Sequence, residues 1–309
     1  MMVVLILLSL TSCVPRPEAA SSSAQSPSMP ASSVTAGVSD ALGRQYGPGV
    51  IPNRIVSLVP AVTEILFAIG AGEKVVGVTQ YCDYPPEAKT RTSVGGFSGA
   101  TMSLEQIRAL RPDLVFLSAD MHTRIISLLD ELGIPSFAVE PRDFSQVYST
   151  IALIGEVTGC GPGADTVAAG MKRKITGVKE RIQGRTPPAV FWVLSEDPLM
   201  TAGSNTFVSE AITLAGGRNI FGDLGGQWPM VSPEQVLLRK PDWILRELPG
   251  QMSTLSGEAP PPVASPLWRN LPAFREGRVA YVNADMLYRY GPRLADAVEA
   301  LAEIFHPGL

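Results

Sequence analysis

The sequence predicts an α/β protein whose two doubly wound lobes of parallel sheet are joined by one long helix. Strand-like and helix-like segments alternate along most of the chain, and this order favours parallel strands with helices on both faces. Over residues 162–184, apolar residues recur at steps of three and four while charged residues fill the other faces, as in an amphipathic helix. About twenty helical residues at 1.5 Å each make a rod of roughly 30 Å, which is long enough to brace two lobes.

A sequence motif that occurs on both sides of this helix indicates that the two lobes have the same fold. Residues 103–116 and 232–245 share Ser, Glu, Gln, Pro and Asp at the same spacing. A second, weaker internal repeat aligns Glu64 with Glu210, each of which follows a hydroxyl residue in a helix-like segment. Because any α/β chain repeats helix-turn-strand segments, the inference of two similar lobes depends mainly on the longer motif.

The composition allows two α/β lobes and argues against nucleic acid as a partner. A chain of 309 residues is ample for two lobes, and 45% hydrophobic with 17% charged residues suits cores of parallel sheet. The net charge is −4 and the sequence contains no basic run, so nucleic-acid binding is not expected. Cys82 and Cys160 are treated as free thiols, since spacing alone does not show whether two sulfurs meet.

The first fifty residues predict export and membrane anchoring. Residues 1–10 are nearly all apolar but too few to span a bilayer, which fits the hydrophobic region of an export signal. Leu-Thr-Ser-Cys at residues 10–13 resembles the lipobox of bacterial lipoproteins, although no Lys or Arg precedes the apolar run. This resemblance implies a lipid on Cys13 and a protein held at the periplasmic or cell-surface side of a membrane. Residues 14–50, rich in Ser, Ala and Pro, predict a flexible tether.

The remaining residues divide into predicted domains and alternating elements. After a signal segment over 1–13 and the tether, we expect an N-terminal lobe over 51–160, a bridging helix over 161–185 and a C-terminal lobe over 186–309. In the first lobe the predicted strands and helices are 54–59, 64–69 capped by Thr63, 75–78, a helix from Ser103, 114–117, 124–132, 136–139 and 144–157. In the second they are 189–194, 207–214, a helix from Ser232, 243–245, 279–282 and 294–305, with a surface loop over 248–266.

The arrangements of residues that catalysis requires are absent from the sequence. Gly-Phe-Ser-Gly at residues 96–99 is not a nucleophile elbow, because its second Gly comes one residue early. Gly-Ala-Gly at residues 70–72 lacks the last Gly of a dinucleotide-binding fingerprint and follows a helix-like segment. With His122 and His306 as its two histidines, the chain does not predict a histidine-rich metal site. We therefore expect neither an enzyme nor a cofactor.

The repeated helix starts leave one carboxylate free in each lobe. Ser103 and Ser232 suit helix N-caps, and a Gln three residues later in each copy completes the pattern of a capping box. Glu105 and Glu234 are therefore not needed for capping and are expected to face outward. The alternative is that each carboxylate only complements the helix dipole.

These residues support a family resemblance that covers residues 54–306. The chain resembles the periplasmic binding proteins that feed ABC importers for vitamin B12, ferric siderophores and haem. The resemblance implies the class III fold, with two Rossmann-like lobes joined by a single long rigid helix and a ligand held in the cleft. It also implies a monomer that docks one surface Glu per lobe onto basic residues of a permease, which works with an ATPase. Glu105 and Glu234 match those docking positions.

The resemblance is closest to the cobalamin-binding branch. It assigns ligand binding to Pro60, Tyr81, Phe97, Trp228, Asp285 and Arg289. Phe97 stands where that branch often has Trp, which keeps the aromatic character of the position. A corrin ring offers broad apolar faces rimmed by amides, so aromatic walls with a few donors and acceptors suit it.

Two alternatives stay open. Haem or a siderophore is the first, because four tyrosines could offer a phenolate to iron: Tyr81, Tyr84, Tyr288 and Tyr290. Arg289 or Arg293 could then pair with carboxylates of the ligand. The second alternative is a lipid-anchored surface adhesin without a small ligand.

Overall fold

The computed structural model describes residues 37–47, 49–98, 100–248 and 266–309. The predicted export signal, the predicted lipidation site Cys13, the predicted tether up to residue 36 and almost all of the predicted loop over 248–266 lie outside these residues. None of the described helices is both long and apolar enough to cross a bilayer.

The end of the predicted tether is an ordered hairpin, which corrects the boundary at residue 50. Strands β1 (Val38–Ser39) and β2 (Gln45–Tyr46) pair antiparallel. Asp40, which is buried, accepts a hydrogen bond from the Ala138 amide at 3.1 Å and bonds to amides within its own turn. The hairpin is held by these polar contacts and has few apolar residues, so it shows no hydrophobic period.

The N-terminal lobe is a five-stranded parallel sheet with helices between its strands. Its elements are β3 (Ile55–Ser57), α1 (Pro60–Ala68), β4 (Val75–Val78), β5 (Thr92–Ser93), α2 (Leu104–Ala109), β6 (Leu114–Ser118), α3 (Thr123–Glu131), β7 (Ser136–Val139) and α4 (Phe144–Thr158). The strand order is β5-β4-β3-β6-β7. Strands β4 and β5 are added on one side of β3 and strands β6 and β7 on the other, so a topological switch point lies between β3 and β6. Such a switch point opens a crevice at the carboxyl ends of the strands.

The bridging helix α5 (Gly161–Arg181) leads into a second parallel lobe. The elements of this lobe are β8 (Ala189–Val193), β9 (Ser195–Glu196), β10 (Leu199–Met200), α6 (Phe207–Leu214), β11 (Arg218–Asn219), α7 (Pro233–Arg239), β12 (Trp243–Glu247), α8 (Pro266–Arg269), α9 (Pro272–Arg275), β13 (Val279–Val282), α10 (Asp285–Tyr288) and α11 (Leu294–Phe305). Its parallel sheet has the order β11-β8-β12-β13, and β9 and β10 form a separate antiparallel pair.

Helix α5 packs against both lobes and joins them. Its buried face, with Met171, Ile175 and Val178, follows the apolar period of the sequence. This helix packs against α1 and α4 of the first lobe and against α6 and α11 of the second. The predicted fold class, two parallel α/β lobes joined by one long helix, is confirmed.

Helix α1 begins four residues earlier than the sequence suggested. Pro60 takes its first turn, where the missing amide hydrogen of proline is not needed, and Val59 is the N-cap. Thr63 is therefore inside the helix, and its hydroxyl is 2.8 Å from Ser57 Oγ instead of capping a helix end. As a result, Glu64 lies in the second turn and is buried.

Two glycines of α5 are expected to respond in opposite ways to alanine. At Gly163 a Cβ atom would lie 2.1 Å from the backbone oxygen of Ile69, whereas at Gly177 it would meet nothing within 4 Å. Gly163→Ala should therefore destabilise the protein by ~1–3 kcal/mol through overpacking against α1. Gly177→Ala should stabilise it by ~0.5–1 kcal/mol through helix propensity. Urea unfolding of both variants tests this, and shifts of the same sign would contradict the close approach of α5 to α1.

Candidate ligand-binding site

An open cleft lies between the two lobes, where the carboxyl ends of the parallel strands face each other, and it continues along the edge of β11 past Pro187 and Arg218. The whole space has a volume of about 1620 Å³. Its lining comes from both sides and includes Phe97, Met121, Glu140, Arg142, Asn205, Phe207, Glu210, Gln227, Trp228, Tyr288 and Tyr290. Phe97 follows β5, Met121 follows β6, Glu140 follows β7 and Tyr288 follows β13. This is the edge at which open α/β sheets bind ligands.

The two lobes present aromatic walls to the cleft. Phe97 comes from the N-terminal lobe, and Tyr81 supports it from behind with an edge-to-face contact at 5.9 Å between ring centroids. Trp228 comes from the C-terminal lobe and makes the same kind of contact with Tyr288 at 5.6 Å. Edge-to-face neighbours restrain the rings, so each wall is preorganised for a flat apolar ligand.

The lobes also touch directly beside the cleft. Phe207 of α6 lies between Tyr290, at 6.2 Å, and Phe144 of α4, at 6.1 Å between ring centroids. Glu210, one turn further along α6, accepts a hydrogen bond from the Phe144 amide at 3.1 Å. Burial raises the pKa of the Glu210 carboxyl. The first turn of α4 thus contacts α6 across the lobe boundary.

Glu140 supplies a polar group that sequence reasoning missed. Its carboxylate accepts hydrogen bonds from Ser118 Oγ at 2.6 Å and from the Asp120 amide at 3.3 Å. Beside it, Arg142 donates to Asp120 at 3.0 Å. Glu140 directly follows β7, so the rule that strand ends face the ligand was the available signal.

His122 lies directly behind the Phe97 wall and uses both of its ring nitrogens. Nδ1 accepts a hydrogen bond from the Ser118 amide at 3.0 Å, and Nε2 is 3.1 Å from the carbonyl oxygen of Phe97. The two rings are also in edge-to-face contact at 6.5 Å. The histidine is buried, and its burial lowers the pKa below the ordinary histidine value.

An ion-pair network connects the lobes through two arginines. Arg289 approaches Asp83 at 2.6 Å, Asp285 at 3.0 Å and Glu64 at 3.3 Å. Arg293 reaches the same Glu64 with two nitrogens, one of them Nε at 2.8 Å. Glu64 and Asp83 belong to the N-terminal lobe, whereas both arginines precede α11. The network therefore crosses the lobe boundary.

This network changes the interpretation of Asp285 and Arg289. Among the described residues, neither belongs to the lining of the cleft. The Arg289 side chain is only 13% exposed, and three carboxylates surround its guanidinium. The observed contacts place Arg289 in a network that joins the lobes, and the role of Asp285 and Arg289 at the polar edges of a ligand stays a prediction. Sequence spacing showed the pair itself but not its partners more than two hundred positions away.

The other predicted ligand residues divide into two groups. Phe97 and Trp228 are brought together on opposite sides of the cleft. Tyr81 stands behind Phe97, and Pro60 is buried in the first turn of α1, so within the described part of the chain neither lines the cleft.

The tyrosines considered for iron differ in their contacts. The hydroxyl of Tyr288 donates to the buried Glu247 carboxylate, and burial together with this carboxylate raises the pKa of Tyr288 far above its ordinary value. Burial likewise raises the pKa of Tyr290. The face of Tyr84 is covered by the Arg293 guanidinium at 4.1 Å. The hydrogen bond to Glu247 disfavours the use of Tyr288 as a ligand to haem iron.

Glu105 and Glu234 lie on the surface of the two lobes. Each is exposed in the first turn of its helix, α2 or α7. The hydroxyl of Ser232 lowers the pKa of the Glu234 carboxyl. Neither glutamate lies among the residues that line the cleft in the described parts of the chain.

The two helix starts are capped differently. In α7 the predicted capping box is complete: Ser232 Oγ accepts from the Gln235 amide at 3.3 Å, and Gln235 Oε1 accepts from the Ser232 amide at 2.8 Å. In α2, Ser103 Oγ accepts from the Gln106 amide at 3.2 Å, but the Ser103 amide donates to Val94 O at 2.9 Å. The predicted return bond from Gln106 is therefore taken over by the backbone.

Comparisons with known proteins identify relatives over most of the chain. The sequence profile of the periplasmic binding protein family matches residues 55–286. An uncharacterised ABC transporter substrate-binding lipoprotein of Bacillus subtilis, YvrC, is 33% identical over 264 residues, which are 83% of this chain and 81% of that protein. A vitamin B12-binding protein of Yersinia pestis is 32% identical over 257 residues, which are 83% of this chain and 87% of that protein.

Solved structures show the same fold with more than one kind of ligand. The periplasmic vitamin B12 binding protein BtuF of Vibrio cholerae is 29% identical, with a TM-score of 0.67 over 82% of this chain and 96% of that one. The periplasmic haem-binding protein RhuT from a Roseiflexus species is 28% identical, with a TM-score of 0.70 over 82% of this chain and 98% of that one. Similarity of fold therefore does not select the ligand.

Proposed function

Since this chain belongs to the periplasmic binding protein family and is a substrate-binding component of an ABC importer, we propose that its cleft binds cobalamin or a related corrinoid. The observation that carries this proposal is the pair of aromatic walls, Phe97 and Trp228, which face one cleft from opposite lobes. Family membership confirms the expectation of a solute-binding protein and not an enzyme.

The two aromatic walls and the polar groups between them suit a large, flat ligand with hydrogen-bonding groups on its rim. A corrin ring can stack its apolar faces against the two walls, while Glu140, Asn205 and Gln227 offer hydrogen bonds to its amide rim.

The contacts of the residues first considered for haem favour a corrinoid. Haem would bring carboxylates and an iron ion. Arg289 and Arg293, considered for the carboxylates, are already held by Glu64 and its neighbours. Tyr288 is held as a protonated donor to a carboxylate. Haem stays the second candidate because RhuT, a similar solved structure, is a haem-binding protein.

Calorimetric titration with cyanocobalamin, and with haemin in parallel, tests the proposal. We expect tight binding of cyanocobalamin, and a loss of ~1–3 kcal/mol, or about tenfold to hundredfold in affinity, for Phe97→Ala or Trp228→Ala. Tyr281→Ala is the control, because Tyr281 is exposed on β13 and is not among the cleft-lining residues that the structure describes. Tight haemin binding without heat from cyanocobalamin would move the assignment to haem, and no binding of either would favour an adhesin.

The proposal also includes docking and anchoring. Glu105 and Glu234, one exposed carboxylate per lobe at equivalent points of the internal repeat, would pair with basic residues of the permease. The protein would be extracytoplasmic and tethered through a lipid on Cys13, which mass spectrometry of membrane-extracted protein would detect as acyl chains. The relative YvrC is named a lipoprotein, which supports this part.

A further inference from the structure

We propose that His122 is the positioning residue of the Phe97 wall and that its neutral ring makes ligand affinity depend on pH. The ligand part of this inference rests on the proposed function of the cleft. The loop part does not, because it concerns contacts within the ligand-free protein.

Backbone hydrogen bonds within the loop that carries Phe97 involve the residues on both sides of Phe97. The Gly96 amide donates to Thr101 O at 2.9 Å, and the Thr101 amide donates to Ser98 O at 2.9 Å. These bonds hold the base of the loop. The carbonyl of Phe97 instead meets the His122 ring, which also touches the Phe97 ring edge to face. His122 therefore ties the wall residue to the turn between β6 and α3.

The hydrogen bonds determine which ring nitrogen of His122 carries the proton. The Ser118 amide donates to Nδ1, so Nδ1 must present its lone pair. The proton then resides on Nε2, which donates to the carbonyl oxygen of Phe97. Only the neutral ring with this tautomer satisfies both neighbours. A protonated ring would set a second N–H against the Ser118 amide, and one of the two contacts would break.

Few charged groups face the ring. Glu140, from the connection between β7 and α4, favours the charged form but already accepts from Ser118 and Asp120. Asp120, on the same turn as His122, pairs with Arg142. The loop 94–102 that carries Phe97 contains no charged residue. Burial outweighs these charges and holds the pKa of His122 below 6.5.

The sign of the pH effect follows from this lowered pKa. Well above pH 6.5 the ring is neutral in both folded and unfolded protein, and the wall is fully positioned. As the pH falls through the folded pKa, Nδ1 takes up a proton and can no longer accept from the Ser118 amide, so the ring that holds the Phe97 carbonyl is displaced. Affinity for a ligand stacked on Phe97 should therefore fall toward acid pH and stay constant above neutrality.

Two variants, each of which can replace one ring nitrogen of His122, separate the hydrogen bond to Phe97 from the charge of the ring. His122→Gln can place an amide nitrogen near the Nε2 position and keep the donor to Phe97, but it does not titrate. His122→Asn can place an oxygen near the Nδ1 position and keep the acceptor for Ser118, but it lacks the donor to Phe97. With cyanocobalamin at about pH 7.5, we expect Asn to lose about tenfold in affinity and Gln to stay within about twofold of wild type.

The pH profile and a matched control complete the affinity test. As the pH is lowered from about 7.5 through the folded pKa of His122, the affinity of the wild type should fall several-fold while that of His122→Gln stays flat. His306→Gln removes the other histidine, which lies beside α11 and outside the described lining of the cleft, and should keep the wild-type profile. A flat wild-type profile over the pH range in which the protein stays folded, or a pH dependence that persists in His122→Gln, would overturn the proposal.

Amide hydrogen exchange of the ligand-free protein gives a readout that does not depend on cobalamin. Compared with wild type at the same pH, His122→Asn should exchange the amides of loop 94–102 faster, whereas His122→Gln should not. If cyanocobalamin does not bind but this difference is found, the positioning role stands and the proposed ligand fails. Equal exchange in wild type and His122→Asn refutes the positioning role, whatever the ligand.

Discussion

Replacing Glu105 and Glu234 together by arginine should abolish uptake through the cognate importer while ligand affinity in solution stays near wild type. Both carboxylates are exposed, lie on different lobes and stand apart from the described lining of the cleft. If each pairs with a basic residue of the permease, reversal places like charges together at the interface. Such juxtaposition weakens association by about a hundredfold or more. Uptake in cells and calorimetry on the purified variant measure the two quantities separately.

A matched charge reversal distinguishes docking from general electrostatics. Glu131→Arg with Glu303→Arg changes the net charge equally at exposed positions of α3 and α11. This control should transport normally. If Glu105 and Glu234 only complement helix dipoles, their reversal would lower stability modestly and leave transport intact. Normal uptake by the double variant would refute docking, and a large loss of solution affinity would assign these helix starts to the pocket.

The second large effect is expected at Glu64, where Glu64→Gln should lower the free energy of unfolding by about 3 kcal/mol. The Glu64 side chain is 1% exposed and faces Arg289 and Arg293, which are 13% and 15% exposed. Removing one partner of a buried ion pair leaves uncompensated charge, which commonly costs ~3–5 kcal/mol. Glutamine keeps an acceptor oxygen, so we place the expected cost at the lower end of this range. Urea unfolding at unchanged m-value measures it.

The internal repeat supplies the control for Glu64. Glu210, its counterpart in the second lobe, accepts from the neutral Phe144 amide and is only half-buried. Glutamine can accept the same bond, so Glu210→Gln should cost less than about 1 kcal/mol. Arg293→Met combined with Glu64→Gln should cost less than the sum of the single variants, since neither charge is then left alone. Equal costs at Glu64 and Glu210 would show that water screens the network.

Elements with strong local patterns were predictable from the sequence. Helices over 207–214 and 294–305 and strands over 75–78, 136–139 and 279–282 have the predicted bounds. The long helix α5 follows its apolar period within a few residues. Hydrophobic periodicity, caps and glycine stops act within one or two turns, so they can be detected without knowledge of the rest of the chain.

The sequence by itself therefore determined the two-lobe plan, the bridging helix and the aromatic residues that follow strand ends. Only the tertiary structure decided which residues Arg289, Asp285 and His122 contact. Arg289 meets Glu64, which lies 225 positions away, and His122 meets Phe97, which lies 25 positions away. Ion pairs and hydrogen bonds of this kind form where α5 and the sheets bring distant segments together, and local spacing carries no information about such distances. The hairpin of β1 and β2 was not predicted for the same reason, because its buried Asp40 accepts a hydrogen bond from Ala138 of β7, which is distant in sequence.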